Sequence, residues 1–312
     1  MHLLGHMPAF DAASARAIAG DLFGLSATAR VLPSERDQNF LLTTDGGEKF
    51  VLKIANRLES RALLEAQHAV LDHLGRQVAF TPRVLASLNG EWIETRADYL
   101  VRLVTYLPGV PLAEIAHPST ELLRDLGSKL GRLDRALADF DHPAVHRDFH
   151  WDLANGNRVI DEYSEWVAER ELVLKCRFES TNDLRRSVIH GDANDYNVLV
   201  EADRVSGLID FGDVVYSWTV GNLAVALAYV VLGKDDPFAT AQPVIEGYID
   251  QFPLREEELE VLWKLVRLRL AMSMCLAAHQ LRQRPENEYL DISQQAIRET
   301  LPRLLNRDER SN

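Results

Sequence analysis

Two stretches carry most of the information about the fold of this chain: VIHGDANDYNVLV at residues 188–200 and VSGLIDFGD at residues 205–213. Both are flanked by β-branched and apolar residues, a composition typical of short buried strands. The polar residues between the apolar runs then lie on loops. The sequence therefore predicts four polar side chains on loops that follow strands: His190, Asp192, Asn197 and Asp210.

The spacing of these residues points to phosphoryl transfer. Asp192 and Asn197 reproduce the D-x-x-x-x-N of a kinase catalytic loop, and Asp210 begins a D-F-G in the expected order. Asn197 and Asp210 offer the hard oxygen atoms that bind Mg²⁺, Asp192 is the expected base, and His190 braces the loop. Alternatively, HGD is a tight turn and Asp210 is an ordinary solvent-exposed or capping residue of a loop. The joint match of two separated motifs favours the catalytic interpretation.

A nucleotide-binding part is expected upstream. Lys53 lies in the apolar strand FVLKI, like the lysine of V-A-I-K, although a solvent-facing strand lysine is the alternative. We expect Glu65 to pair with it, and Glu59 competes for that role on the same predicted helix. The phosphate-covering loop is expected at PSERDQNF, residues 33–40, in place of a glycine-rich loop. Ser34 would donate to phosphate there, or the segment is a solvated hairpin turn.

The order of the predicted elements defines the fold class. Three strands within residues 29–54, a helix over residues 58–74 and two strand-like runs precede the break at Pro108 and Gly109. Helical patterns follow at residues 121–140, 155–182, 256–281 and 289–305. We predict an α+β fold with two lobes, a small β-rich nucleotide-binding lobe with one helix at residues 1–107 and a large helical catalytic lobe at residues 108–312.

Composition limits the possible partners. The chain has 312 residues, 46% of them hydrophobic, and a net charge of −13, which disfavours binding to nucleic acid and anionic membranes.

The longest apolar run, residues 223–232, is too short to span a bilayer and predicts a buried helix. The first residues lack the features of a leader, and the two cysteines lack disulfide or zinc spacing. We expect a cytoplasmic protein, and the sequence leaves the oligomeric state open.

HGDANDYN together with IDFGD resembles the aminoglycoside phosphotransferase and choline kinase superfamily, which has a protein-kinase-like fold. The resemblance covers essentially the whole chain. SERDQNF, RDFHWDL and NEYLDIS look most like the hydroxylysine kinase branch, whose members phosphorylate 5-hydroxylysine with GTP. The resemblance implies Mg²⁺ and either ATP or GTP as co-substrate. It carries over Asp192 as base, Asn197 and Asp210 as metal ligands, and Lys53 with Glu65 as the nucleotide-side ion pair.

The resemblance also implies an acceptor pocket around Trp151 and Asp152, where an indole face and a carboxylate suit an ammonium group. Packing and a helix cap are the alternatives for these two residues. Asp213 is expected at the pocket rim. No A-P-E motif or activation loop follows it, so a protein substrate is not expected.

Several acceptors and two other classes of function stay open. Hydroxylysine is the first expectation for the acceptor, with ethanolamine, choline, homoserine and aminoglycosides as alternatives. A catalytically silent nucleotide-binding protein and a nucleotidyl transferase are the other classes. The intact set of Lys53, Asp192, Asn197 and Asp210 opposes the silent protein.

Overall fold

The structure is a computed structural model that describes residues 8–34, 37–179, 183–283 and 293–308. The chain divides into two compact units. Unit 1 comprises Met1–Pro108 and His142–Ala144, and unit 2 comprises Gly109–Asp141 and Val145–Asn312. Parts of the SERDQNF and NEYLDIS segments, residues 35–36 and 287–292, lie outside the described residues.

Unit 1 is built on one antiparallel sheet with the strand order β1-β2-β3-β6-β4, to which β5 adds by pairing with β6. Its strands are β1 (Ala27–Leu32), β2 (Gln38–Thr44), β3 (Lys49–Ile54), β4 (Val84–Leu85), β5 (Glu94–Arg96) and β6 (Tyr99–Thr105). Gly47, at φ +83°, closes the β2–β3 hairpin with its N–H on Thr44 O. The predicted three-stranded meander is therefore confirmed.

Within residues 8–34 and 37–108, unit 1 has two helices, α1 (Ala12–Phe23) and α2 (Arg61–Gly75). Helix α1 was not predicted, although its end signals are in the sequence. Asp11 caps its N-terminus through Ser14 N at 2.7 Å, and Gly24 ends it at φ +67°. Its buried face, including Ile18 and Phe23, completes the core formed with β2, β3 and β6. The prediction of a single helix in this lobe is therefore wrong.

Helix α2 begins three residues later than the sequence pattern indicates. Arg61 is its first residue and Ser60 its N-cap, so Glu59 precedes the helix. The expectation that Glu59 and Glu65 share this helix is therefore wrong. Most of the predicted apolar positions lie on the buried face, among them Leu63 and Leu71, whereas Ala62 is exposed.

Unit 2 is mainly helical. Its helices are α3 (Thr120–Leu137), α4 (Gly156–Tyr163), α5 (Arg170–Leu174), α6 (Thr219–Val230), α7 (Pro237–Ile249), α8 (Glu256–Gln283) and α9 (Gln294–Asp308). Helix α6 is buried along nearly its whole length, as expected for the longest apolar run. Helices α3 and α7 approach so closely that a Cβ on Gly127 or Gly247 would overlap the other helix's backbone. No helix within the described ranges has the length and apolar character needed to cross a bilayer.

In the part of unit 2 that the structure describes, five short strands position the polar loops. They are β7 (Val110–Pro111), β8 (Arg186–Ile189), β9 (Val198–Glu201), β10 (Arg204–Leu208) and β11 (Val215–Trp218). Strand β9 pairs with β10 and β7, while β8 pairs antiparallel with β11. The first polar loop joins β8 to β9, and the second joins β10 to β11. The predicted loops between short strands are confirmed, and so is the α+β division into a sheet-rich and a helical unit.

Candidate active site

His190 anchors the loop that follows β8. Its side chain is fully buried. The Nδ1 atom accepts a hydrogen bond from Asp192 N at 3.2 Å, so Nε2 carries the proton and donates to Ile209 O at 3.0 Å. Burial lowers the pKa of His190 to about 4, which keeps the ring neutral. His190 thus ties the two polar loops together through backbone atoms, as the sequence predicted.

Both carboxylate oxygens of Asp192 have defined partners. Oδ1 forms an ion pair with Arg269 Nη2 at 2.8 Å. Oδ2 accepts from Asn194 Nδ2 at 3.0 Å and from Asn197 Nδ2 at 2.9 Å. Burial raises the pKa of Asp192 to about 7, the nearby Asp213 charge adds to the rise, and Arg269 opposes it. A fixed carboxyl group with a pKa near neutrality suits a general base.

Asn197 and Asp210 fit a divalent cation by their donor chemistry. Asn197 Nδ2 donates hydrogen bonds to the carboxylate and to the backbone oxygen of Asp192, each at 2.9 Å. The amide oxygen, Oδ1, is therefore the atom of Asn197 that would bind a cation. Asn197 O accepts from Ile209 N at 2.9 Å, next to Asp210. An amide oxygen and a carboxylate are ligands that Mg²⁺ prefers, with water and phosphate oxygens completing its shell. In the described part of the chain, no group of three or more His, Cys, Asp or Glu residues forms a metal site.

The backbone is tightly constrained where the two loops meet. Asp210 has φ +62°, a conformation uncommon for non-glycine residues and frequent at functional sites. Gly191 has φ +77°, and a Cβ there would lie 2.7 Å from Asp213 O. Only glycine fits this position without displacing the D-F-G-D turn.

Asp152 is held as a cap. Its Oδ1 accepts from Ala154 N at 3.0 Å, at the start of the 3-10 turn Leu153–Asn155, and from the Ser217 hydroxyl. The side chain is buried, and burial raises its pKa. These contacts match the cap alternative, and the predicted substrate role of Asp152 remains a prediction.

Trp151 and Asp213 line one small pocket of unit 2. Phe149, Asp152 and Gly191 also contribute to its wall, together with aliphatic side chains from β8, β11 and α6. Asp213 is buried, and Trp151 is half-buried with the Arg269 guanidinium 4.4 Å from its ring centroid. The three predicted acceptor-site residues are therefore brought together at one pocket.

Lys53 of unit 1 lies half-buried on β3, directly opposite Arg102 of β6. The neighbouring buried face of α2 carries Gln67, which accepts from Arg102 Nη1 at 2.5 Å, and His68. Burial, with the charges of Arg102 and Lys53, lowers the pKa of His68 to about 3. Glu65 is exposed on α2, so its pairing with Lys53 remains a prediction.

The proposed phosphate-covering segment is only partly described. Ser34 follows β1 and is exposed. Residues 35–36 lie outside the described residues. Asp37 Oδ1 accepts from Asn56 N at 3.0 Å, which fixes the return of the chain into β2. The phosphate-binding role of Ser34 remains a prediction.

Sequence reasoning missed the residues that support the catalytic loop from behind. Asn222 of α6 accepts from Gly191 N at 3.3 Å and donates to Asp134 Oδ1 at 2.6 Å. Tyr248 of α7 donates to Asp134 Oδ2 at 2.6 Å. Asp134 and Asn222 are fully buried, and burial raises the pKa of Asp134 to about 7. Polar residues inside otherwise apolar helix faces were the available signal.

The chain is similar in sequence to known proteins. Residues 28–259 match the sequence model of the phosphotransferase enzyme family. Hydroxylysine kinase from Mus musculus is 32% identical over 92% of this chain and 87% of its own length. Homoserine kinase from Zymomonas mobilis is 28% identical over 74% of each chain.

Two solved structures are similar over nearly the whole length. An amicoumacin kinase in complex with AMP-PNP and Ca²⁺ has a TM-score of 0.73 at 16% identity, covering 94% of this chain and 93% of its own. A microcompartment-associated aminopropanol kinase has a TM-score of 0.71 at 17% identity, covering 96% and 98%. At these identities the likeness establishes the fold alone. It confirms the kinase-like α+β fold expected from the sequence.

Proposed function

This chain belongs to the phosphotransferase enzyme family, and we propose on that basis that it phosphorylates the side-chain hydroxyl of hydroxylysine or of a closely similar amine-bearing alcohol. It is a small-molecule kinase, and we propose that it uses a nucleoside triphosphate and a divalent cation. The similarity to hydroxylysine kinases over most of the chain supports this acceptor. We propose Mg²⁺ as the cation and either ATP or GTP as the donor.

The observation that carries the mechanism is the anchored carboxylate of Asp192. Its two oxygens are held by Arg269, Asn194 and Asn197, so the group is oriented before an acceptor arrives. Asp192 aligns the acceptor hydroxyl and takes its proton as the oxygen attacks the γ-phosphorus, while the bond from that phosphorus to the β,γ-bridging oxygen breaks and the nucleoside diphosphate leaves. A bound divalent cation supplies charge neutralisation to the transferring phosphoryl group. Asn197 and Asp210 are the residues that would hold it.

Further residues of each unit are proposed to bind the two substrates. In unit 1, Lys53 would bind the nucleotide phosphates with Glu65 as its partner, and the Ser34 hydroxyl would donate a further hydrogen bond to phosphate. Trp151 and Asp213 receive the ammonium group of the acceptor, because an aromatic face and a buried carboxylate both favour a cation. Asp152 contributes negative charge to the same pocket while capping the turn that follows it.

We also propose that the protein works in the cytosol on small molecules and binds neither nucleic acid nor membranes. Cys176 and Cys275 are both buried free thiols, which suits a reducing compartment. The net charge of −13 opposes binding to polyanions. Cell fractionation with an antibody against the chain tests this location, and recovery in a secreted fraction would contradict it.

The function is tested by nucleotide consumption with Mg²⁺, using ATP and GTP separately. The acceptors are hydroxylysine, homoserine, ethanolamine, choline and kanamycin. We expect turnover with hydroxylysine and a fall in kcat of about 100-fold to 10,000-fold in Asp192→Asn. Asp195→Asn is the matched control, because it neutralises another carboxylate of the same loop. Equal turnover in the Asp192→Asn and wild-type proteins would contradict the mechanism.

A further inference from the structure

A buried arginine of α8 reaches the proposed catalytic loop. Arg269 has a side chain only 2% exposed and lies between the buried Leu268 and Leu270. A guanidinium is always charged, so a buried one is strongly destabilising unless it is paired and hydrogen-bonded. Its contacts therefore indicate what the charge is for.

The guanidinium joins three separate elements of unit 2. Nη2 donates to Asp192 Oδ1 at 2.8 Å, and Nη1 donates to Trp151 O at 3.2 Å. The group lies 4.4 Å from the Trp151 ring centroid and 5.7 Å from that of Tyr229 on α6. Because the planar group has bonds in its plane and aromatic rings nearby, its orientation is fixed. Arg269 thus links the carboxylate of the loop to a residue of the acceptor pocket.

We infer that Arg269 is the positioning residue that sets the orientation of the Asp192 carboxylate relative to the acceptor hydroxyl. The inference rests on the proposed function. The two asparagine amides hold Oδ2, whereas Arg269 is the side chain that holds Oδ1 among the described contacts. Oδ1 keeps a second lone pair for the hydroxyl proton. Without Arg269 the carboxylate is held through Oδ2 by the two amides, and rotation about its Cβ–Cγ bond is restrained by fewer contacts.

The same bonds predict a specific pattern of kinetic effects. Arg269→Met keeps the length of the side chain and removes its donors and charge. We expect kcat to fall about 100-fold, the effect of a misplacement of about 1 Å, while KM for the nucleotide stays within about twofold. Arg269→Lys keeps a charge and a donor for Asp192, and we expect it to recover about tenfold of the lost kcat.

Arg267 provides a matched control on the same helix. It is also buried, at 6% exposure, and its guanidinium donates to Leu304 O of α9. Arg267→Met should lower thermal stability while leaving kcat within about twofold of wild type. A general loss of packing in α8 would instead lower kcat equally in Arg267→Met and Arg269→Met.

The decisive experiment is a double-mutant cycle with Asp192→Asn and Arg269→Met, measured as single-turnover rates together with thermal unfolding. Because Arg269 acts through Asp192, the double variant should be no slower than Asp192→Asn alone. Removing both charges should also restore part of the stability lost in Arg269→Met, so a poorly folded single variant still leaves a readable result.

The outcomes separate this inference from the proposed function. Rate losses that multiply in the double variant, or equal kcat values for Arg267→Met and Arg269→Met, would overturn the role of Arg269 alone. Absence of turnover by the wild-type protein with every acceptor would overturn the proposed function, and the positioning role with it. A tenfold recovery in Arg269→Lys with unchanged nucleotide KM is the supporting result.

Discussion

Replacing Gly191 with alanine tests how the catalytic loop is held against the D-F-G-D turn. Gly191 has φ +77°, and its new Cβ would lie 2.7 Å from Asp213 O. The left-handed conformation alone costs an alanine about 1–2 kcal/mol. To reach an ordinary contact of 3.4 Å, the two backbones must separate by about 0.7 Å. This crowding should lower the free energy of unfolding by about a further 1–3 kcal/mol.

The displacement should affect catalysis as well as stability. Gly191 lies between His190 and Asp192, so a shift of its backbone moves the proposed base. A misplacement of about 1 Å costs about 100-fold in rate, so we expect kcat to fall about tenfold to 100-fold. Steady-state kinetics with hydroxylysine and urea unfolding followed by tryptophan fluorescence measure the two effects.

Gly233 offers a matched control for this substitution. It has φ +66°, but an added Cβ there would meet nothing within 4 Å. Gly233→Ala should therefore lower the free energy of unfolding only by the cost of the left-handed conformation, about 1–2 kcal/mol, and should leave kcat unchanged. If Gly191→Ala matches Gly233→Ala in both stability and kcat, the tight contact between the loops is refuted.

Three further predictions concern the support of the loop and the metal. Tyr248→Phe leaves a buried oxygen of Asp134 without its hydrogen-bond donor, and urea unfolding should show a free energy of unfolding lower by about 1–3 kcal/mol. An unchanged free energy of unfolding would contradict a stabilising role for this hydrogen bond. Because burial raises the pKa of Asp134 from 3.8 to about 7, the folded state binds the proton more tightly, and stability should fall as pH rises from about 4 to 7. Asp134→Asn should reduce that slope without abolishing it, because the pKa of Asp192 is also raised to about 7, and an unchanged slope would refute the assignment. Removal of divalent cations with EDTA should abolish turnover. Asp210→Asn should raise the Mg²⁺ concentration that gives the half-maximal rate at least about tenfold. An unchanged Mg²⁺ concentration for the half-maximal rate would exclude Asp210 as a ligand.

The elements with a regular pattern were predictable from the sequence. The β2–β3 hairpin follows from alternating residues around Asp45-Gly46-Gly47, and the amphipathic spacing over residues 121–140 gives α3. Local pattern sufficed in these cases because each element buries one face against a core. The start of α2 was less certain, since the apolar spacing extends beyond its cap at Ser60.

Two missed elements carry signals that conflict with their structure. Helix α7 contains Pro243 in its interior, a residue that normally ends a helix, and the helix persists because it packs closely on α3. Strand β11 is only four residues long, too short for an alternating pattern alone to identify it. Its pairing with β8 supplies the hydrogen bonds that a short segment lacks by itself.

The candidate site was predictable only where its residues are close in sequence. Asp192, Asn197 and Asp210 lie in two nearby motifs, and residue type with spacing was sufficient to propose them. Arg269 is 77 residues from Asp192, and Asn222 is 88 residues from Asp134. No local pattern connects such pairs, because tertiary packing alone brings them together.

Phosphorylation of the acceptor hydroxyl itself is the most direct test of the account. Wild-type protein is incubated with Mg²⁺ and nucleoside triphosphate, and with hydroxylysine in one sample and lysine in the other. Mass spectrometry with fragmentation then follows each amino acid. We predict that hydroxylysine gains one phosphoryl group on its side-chain oxygen, that lysine stays unmodified, and that Asp192→Asn forms no product above background. Phosphorylated lysine, or unchanged hydroxylysine beside another phosphorylated acceptor, would contradict the proposed acceptor, and transfer of a nucleotide in place of phosphate would contradict the reaction.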